Sequence, residues 1–180
     1  MGSEGLSGLI SDISKRRVYY LVWLSMNRPE LLKYVTPDSL TEIVAILNSG
    51  DWRAKAYATL VLGLMASRGI QLPEYVTAEV IRLLSDPSEY VRSGAAWVLG
   101  RVGGVNSSGN CRAIYNSLIQ LLGDPSWIVR TAAVKSLGEL NRGCNSLRKV
   151  IESKLYDVLI HDKNDIVRKV AYSMLRSYGG

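Results

Sequence analysis

The chain has no phenylalanine, one histidine (His161) and two cysteines (Cys111 and Cys144). One imidazole and two thiols cannot supply the four ligands of a structural zinc site, so most metal-centred chemistry is excluded. The cysteines lie 33 residues apart with no CxxC spacing. Two readings stand: small, separate thiols, or a disulfide tying neighbouring structural units. Catalytic signatures are equally scarce. There is no HExxH, GxSxG, Walker or dinucleotide-binding glycine motif with the right flanks. Gly100-Arg-Val-Gly-Gly104 ends a helix rather than opening one. His161 stands beside Asp162 in a turn and reads as a turn or capping residue rather than a general base. The expectation is a protein with no catalytic residue, no cofactor and no metal.

Long apolar runs are also missing. Stretches such as Tyr57–Ala66 fall far short of the ~20 residues that span a bilayer. Met1–Ser14 is rich in glycine and serine and carries two acids, so it lacks the pattern of a secretory signal. The expectation is a soluble, cytoplasmic protein with no membrane partner. With 180 residues, 47% hydrophobic and 21% charged, the chain can bury a real core. The net charge of +6 permits a nucleic acid or an acidic protein as partner without requiring either. The excess sits at the ends: +2 over residues 1–35, 0 over 36–72, −1 over 73–108, +2 over 109–145 and +3 over 146–180.

What is present in abundance is repetition. Asp86-Pro-Ser-Glu-Tyr-Val-Arg92 recurs as Asp124-Pro-Ser-Trp-Ile-Val-Arg130 and as Asp162-Lys-Asn-Asp-Ile-Val-Arg168, at a period of 38. The basic position extends backward through Lys55 to Arg17. Three residues beyond it stand Tyr20, Ala58, Ala95, Ala133 and Ala171; seven beyond stand Leu24, Leu62, Leu99, Leu137 and Leu175. One further stand Ser25, Gly63, Gly100, Gly138 and Arg176. This spacing is a buried helical stripe, and small residues in it let neighbouring helices approach closely.

Each such helix, B, follows a second amphipathic segment, A: Ser39–Leu47, Tyr75–Leu84, Ala113–Leu122 and Leu147–Leu159, with a doubtful first copy in Leu6–Ile10. Thr36-Pro37 and Leu72-Pro73 place proline at a first helical position, with Thr36 as an N-cap. Asp51, Ser88, Ser126 and Asn164 fall in the N-cap column of helix B. Gly103–Asn110 and Asn141–Asn145 read as long connections, the first as a loop.

The pattern Asp-Pro-x-x-x-Val-Arg-x-x-Ala-Ala-x-x-Leu-Gly, present as Asp86 to Gly100 and Asp124 to Gly138, resembles the HEAT-like repeat first described in phycobilin lyases. The resemblance implies an all-α, right-handed, armadillo-type superhelix (a solenoid) of about five helical hairpins, forming one domain over residues 1–180. It also implies a structural ladder of Asp86, Arg92, Asp124, Arg130, Asp162 and Arg168 running inside the array. Ser49 and Ser11 occupy the aspartate column in units two and one, so the ladder should weaken toward the N-terminus. Such arrays mostly serve as protein-binding scaffolds.

In this family B helices line the concave face, which makes Trp97, Arg101, Lys135 and Glu139 candidate partner contacts, flanked by Trp52 and Trp127. Trp97 has a second reading, packed against a neighbouring unit. The expected partner is a protein. Nucleic acid is the alternative, through Lys15, Arg16 and Arg17 at one end and Lys163, Lys169 and Arg176 at the other. HEAT-like repeats also build an alkylpurine DNA glycosylase family, whose catalytic residues have no visible counterpart here. The iron-binding HEAT-like hydroxylases use His-Glu pairs, and this chain has no His-Glu dipeptide. Tyr19, Tyr20, Val22, Trp23 and Met26, with Leu60, Val61, Leu64 and Met65, leave the first B helices little polar face. That implies either a homodimer through the N-terminal units or cover by residues 1–12. Scarce glutamine, no phenylalanine and repeated charge columns hint at a thermophilic source.

Overall fold

The computed structural model describes Asn27 and residues 37–105 and 111–178. The elements expected in residues 1–26, the Thr36 cap and the basic cluster Lys15, Arg16 and Arg17 lie outside the described residues. Eight α-helices lie between Pro37 and Arg176: α1 (Pro37–Leu47), α2 (Trp52–Ser67), α3 (Glu74–Arg82), α4 (Glu89–Val105), α5 (Cys111–Gln120), α6 (Trp127–Gly143), α7 (Arg148–His161) and α8 (Asp165–Arg176). Odd-numbered helices are A helices and even-numbered ones are B helices. The chain is an all-α solenoid. No described helix is long and apolar enough to cross a membrane.

Local chemistry sets the boundaries. Asp51 caps α2 by accepting from the backbone N–H groups of Arg53 and Ala54. Ser126 caps α6 through Ile128 N–H, and Asn164 caps α8 through Ile166 and Val167 N–H. Pro73 is the cap residue of α3 rather than its first residue. The end of α2 turns through Gly69 at φ +77°, a left-handed conformation open to glycine without strain.

One continuous apolar core runs through the array. The repeated alanines Ala58, Ala95, Ala133 and Ala171 and the leucines Leu62, Leu99 and Leu137 are fully buried. B helices pack directly on B helices: α2 on α4, α4 on α6, α6 on α8. A Cβ at Gly100 would lie 2.7 Å from Cα of Ser136, and one at Gly138 would lie 2.6 Å from Sδ of Met174. At Gly100 the neighbour is backbone and only glycine permits the spacing; at Gly138 it is a flexible methionine side chain.

The same crowding extends α4 into the start of the loop expected at Gly103–Asn110. Gly103, Gly104 and Val105 continue α4, and residues 106–110 lie outside the described set. A Cβ at Gly103 would meet Cδ1 of Leu140 at 2.3 Å, and one at Gly143 would meet the Gly103 carbonyl oxygen at 2.3 Å. These glycines bring two helices together rather than breaking one. The long connection expected at Asn141–Asn145 is likewise short: α6 runs to Gly143, and a 3-10 turn covers Asn145–Leu147. The N-terminal apolar patch is also reduced, since Val61 and Met65 are buried.

Cys111 and Cys144 form a disulfide. It joins the start of α5 to the residue after α6, so it closes one helical hairpin instead of tying two neighbouring units. The separate-thiol reading fails because the two helix ends meet, with Cα atoms 6.0 Å apart.

Candidate functional site

Two built features stand out, a charge ladder along the inter-helix turns and a groove along the B helices. The ladder begins with turn chemistry. Asp86, Asp124 and Asp162 each use Oδ1 to accept the backbone N–H two residues on, from Ser88, Ser126 and Asn164 at 2.8–2.9 Å. The remaining oxygen faces the preceding unit. Lys55 Nζ donates to Asp86 Oδ2 at 2.8 Å. Arg92 donates through Nε and Nη2 to both oxygens of Asp124 at 2.8 and 2.9 Å, and Arg130 does the same to Asp162 at 2.8 and 3.0 Å. Each arginine also donates Nη1 to the carbonyls of its own turn, Asp86 and Pro87 or Asp124 and Pro125. One fork thus ties three segments, which a lysine cannot do. In unit two Ser49 keeps a weaker turn bond, accepting from Asp51 N–H at 3.4 Å, and brings no carboxylate.

These contacts shift both partners. The hydrogen bond to Asp124 holds the Arg92 guanidinium above its ordinary value, and that to Asp162 does so for Arg130. Burial pushes Asp124 up, but hydrogen bonds from Arg92 and Ser126 outweigh it and leave the carboxyl below its usual range. The Arg130 hydrogen bond holds Asp162 low against the opposing effect of burial. A depressed folded value means stability that is present above the unfolded pKa and is lost as pH falls through the folded one. Urea midpoints should therefore be level from pH 7 to about 5 and fall steadily below about 4. Asp124→Asn should flatten part of that slope. A midpoint that stays constant down to about pH 2.5 would contradict it.

The groove is lined by α2, α4 and α6, through Leu60, Tyr90, Trp97, Trp127, Thr131 and Lys135 among others, and encloses about 580 Å³. The candidate contacts occupy it unequally. Trp97 is half-buried, with its ring laid over Gly63 of the preceding B helix, where a Cβ would be 2.0 Å away. It is therefore a wall of the groove and not a free anchor. Arg101 packs over the Trp97 ring at 5.7 Å and pairs with Glu139 at 3.4 Å, so these two contacts largely satisfy each other. Trp127 is 41% exposed at the groove edge, and Lys135 is exposed with no ion pair among the described residues. Trp52 lies outside the groove lining, its ring stacked on Tyr90 at 5.4 Å and with the Arg53 guanidinium 4.8 Å from its centroid. Sequence reasoning missed Tyr90 and Thr131. Thr131 follows from the face of α6 that carries Trp127 and Lys135, four residues from each, whereas Tyr90 reaches the groove from α4. Lys163, Lys169 and Arg176 are exposed on the last unit.

Family comparison decides what this array is. The HEAT repeats family matches residues 40–110, and the HEAT repeat family matches residues 114–144. The chain belongs to the HEAT-repeat family. No curated protein matches this HEAT-repeat chain. Solved structures share its fold at low identity. A designed armadillo repeat protein in complex with the peptide (KR)4 matches at TM-score 0.73 and 20% identity, over 93% of this chain and 76% of that one. Another designed armadillo repeat protein matches at TM-score 0.70 and 19% identity, over 91% and 74%. The complex of CpcE and CpcF of phycocyanin lyase from Nostoc sp. PCC7120 matches at TM-score 0.66 and 20% identity, over 87% and 96%.

Proposed function

We propose that this HEAT-repeat chain is a non-catalytic scaffold that holds a segment of a partner protein in the B-helix groove. The observation that carries the reading is the groove itself. It combines an exposed tryptophan, a tyrosine, a tryptophan wall and one exposed lysine with no ion pair among the described residues. Aromatic anchors beside a few convergent polar groups are what binding sites use. The Thr131 hydroxyl on the same wall is buried and has no hydrogen-bond partner among the described residues. A structural relative carries a basic peptide, (KR)4. Here the exposed charges on the B helices include Lys135 and Lys169, so the reading is an acidic segment with an apolar residue for the tryptophans.

The test is a titration of the full chain with acidic, aromatic-containing peptides, followed by tryptophan fluorescence. Trp127→Ala and Lys135→Glu are the variants to use, because both side chains are exposed at the groove. Each should weaken binding at least tenfold, with unfolding midpoints unchanged. Equal affinity in both variants removes this groove from the account. A salt-dependent gel shift with DNA, lost on removing Lys163, Lys169 and Arg176, would replace it with nucleic-acid binding.

A further inference from the structure

One rung of the ladder is built differently from the others. Arg92 gives Nε and Nη2 to Asp124, and Arg130 gives the same pair to Asp162. Each also sends Nη1 to the two carbonyls six and five residues before it. Lys55 holds that column between units two and three and makes one bond, from Nζ to Asp86 Oδ2. The carbonyls six and five residues before it belong to Ser49 and Gly50, and Lys55 donates to neither among the described residues. Arg82, on the next A helix, donates to Asn48 Oδ1 and Glu79 instead. Asp86 is thinly served as well. It accepts from Ser88 N–H and Lys55, two donors, where Asp124 and Asp162 each accept three. A lysine at this rung thus leaves Asp86 Oδ1 and two carbonyls without the guanidinium donors that their counterparts receive.

A cavity of about 480 Å³ lies at this rung, lined by Gly50, Trp52, Lys55, Asp86, Glu89 and Tyr90 among others. That is the size of a small-ligand site. Two carboxylates face one ammonium in it, so the lining is net negative. The Asp86 side chain is only 6% exposed, and Glu89 makes no ion pair among the described residues. Trp52 and Tyr90 add flat aromatic faces, and the Arg53 guanidinium 4.8 Å from the Trp52 centroid shows that this ring already accepts a planar cation. Tyr90 also lines the B-helix groove, so the cavity and the groove share a wall.

We propose that this cavity is an arginine subsite, which takes one guanidinium from the partner segment held in the groove. The choice of a peptide as its source rests on the groove reading above. The guanidinium donates to Asp86 Oδ1 and to the Ser49 and Gly50 carbonyls, with Glu89 balancing its charge. A lysine of the partner is the poorer occupant, because an ammonium has no fork and would sit as a point charge beside Lys55. The subsite also gives the segment a direction. Trp52 lies on α2 and Lys135 on α6, with α4 packed between them. The partner therefore carries its arginine toward Trp52, its apolar residue at the tryptophans of the groove and its acid toward Lys135.

The first probe is N-acetylarginine amide, titrated into the full chain while the Trp52 indole N–H resonance is followed by NMR, with Trp52→Phe assigning the signal. The expected result is a saturable shift, with N-acetyllysine amide binding about tenfold more weakly. Lys55→Arg supplies the fork from within the chain. It should cut arginine binding about tenfold and leave the unfolding midpoint no lower than that of the wild type. No shift of Trp52, or an equal shift in Lys55→Arg, overturns the proposal. Glu89→Gln is the second variant; arginine binding that it leaves unchanged also overturns the subsite. This probe makes no use of the groove, so its outcome stands apart from that of the acidic-peptide titration. The second probe is an acidic, aromatic-containing peptide with arginine added at one end or the other. A gain of about tenfold at one end only, absent in Lys55→Arg, supports the shared segment. A peptide that binds the groove but gains at neither end, or equally at both, overturns it.

Discussion

Replacing Arg130 with alanine should lower the unfolding free energy by about 3–5 kcal/mol. Arg130 is 4% exposed and holds three segments at once: both oxygens of Asp162 and the carbonyls of Asp124 and Pro125. Truncation leaves a desolvated carboxylate without its cation and two turn carbonyls without their donor. Arg130→Lys keeps the charge and loses the fork, so it should recover only part of the loss. Lys55→Ala provides a comparison within the chain. Its single bond to Asp86 should be worth about 1.5–3 kcal/mol, the range for one hydrogen bond to a charged group. Urea unfolding with unchanged m-values measures all three. A loss below about 1 kcal/mol for Arg130→Ala would mean that water re-solvates the turn freely, and the ladder would no longer explain the register of units four and five.

Opening the Cys111–Cys144 disulfide is the other large effect. The bridge spans a sequence separation of 33 residues, for which loop-closure entropy gives about 3–4 kcal/mol. The bridged hairpin sits between α4 and α8, so α6 is a partner in two B-helix contacts. Its loss should therefore lower the stability of the neighbouring units too, as expected for an array with nearest-neighbour coupling. Thermal unfolding of the Cys111→Ser, Cys144→Ser double variant, compared with the wild type with and without reductant, checks this. Equal Tm values in all three samples would contradict it.

The sequence carried the architecture because its signals are local and repeated. The Asp-to-Arg heptapeptides at period 38 placed every turn between an A and a B helix from Asp86 onward. What depends on a neighbouring unit was harder to read. Gly103 and Gly143 look like helix breakers until Leu140 Cδ1 and the Gly103 carbonyl oxygen, respectively, are known to lie 2.3 Å from an added Cβ. Trp97 looks like a free anchor until Gly63, 34 positions earlier, is seen to make room for its ring. Arg101 and Glu139 belong to different units, and only the packing of α4 on α6 reveals that they pair. The disulfide was undecidable for a similar reason: 33 residues of separation says nothing about whether two helix ends meet.

The glycine-dependent contacts between B helices also bear on the mechanics of the array. Among the described residues each B helix lies tightly on the next, whereas adjacent A helices touch little beyond α1 against α3. Close packing resists compression and shear, and sparse contact does not. The B row therefore acts as the stiff spine and the A row as the compliant side. Bending should open and close the gaps between A helices like the ribs of a fan. Such flexing alters the pitch of the solenoid while leaving the spacing within the B-helix groove almost fixed.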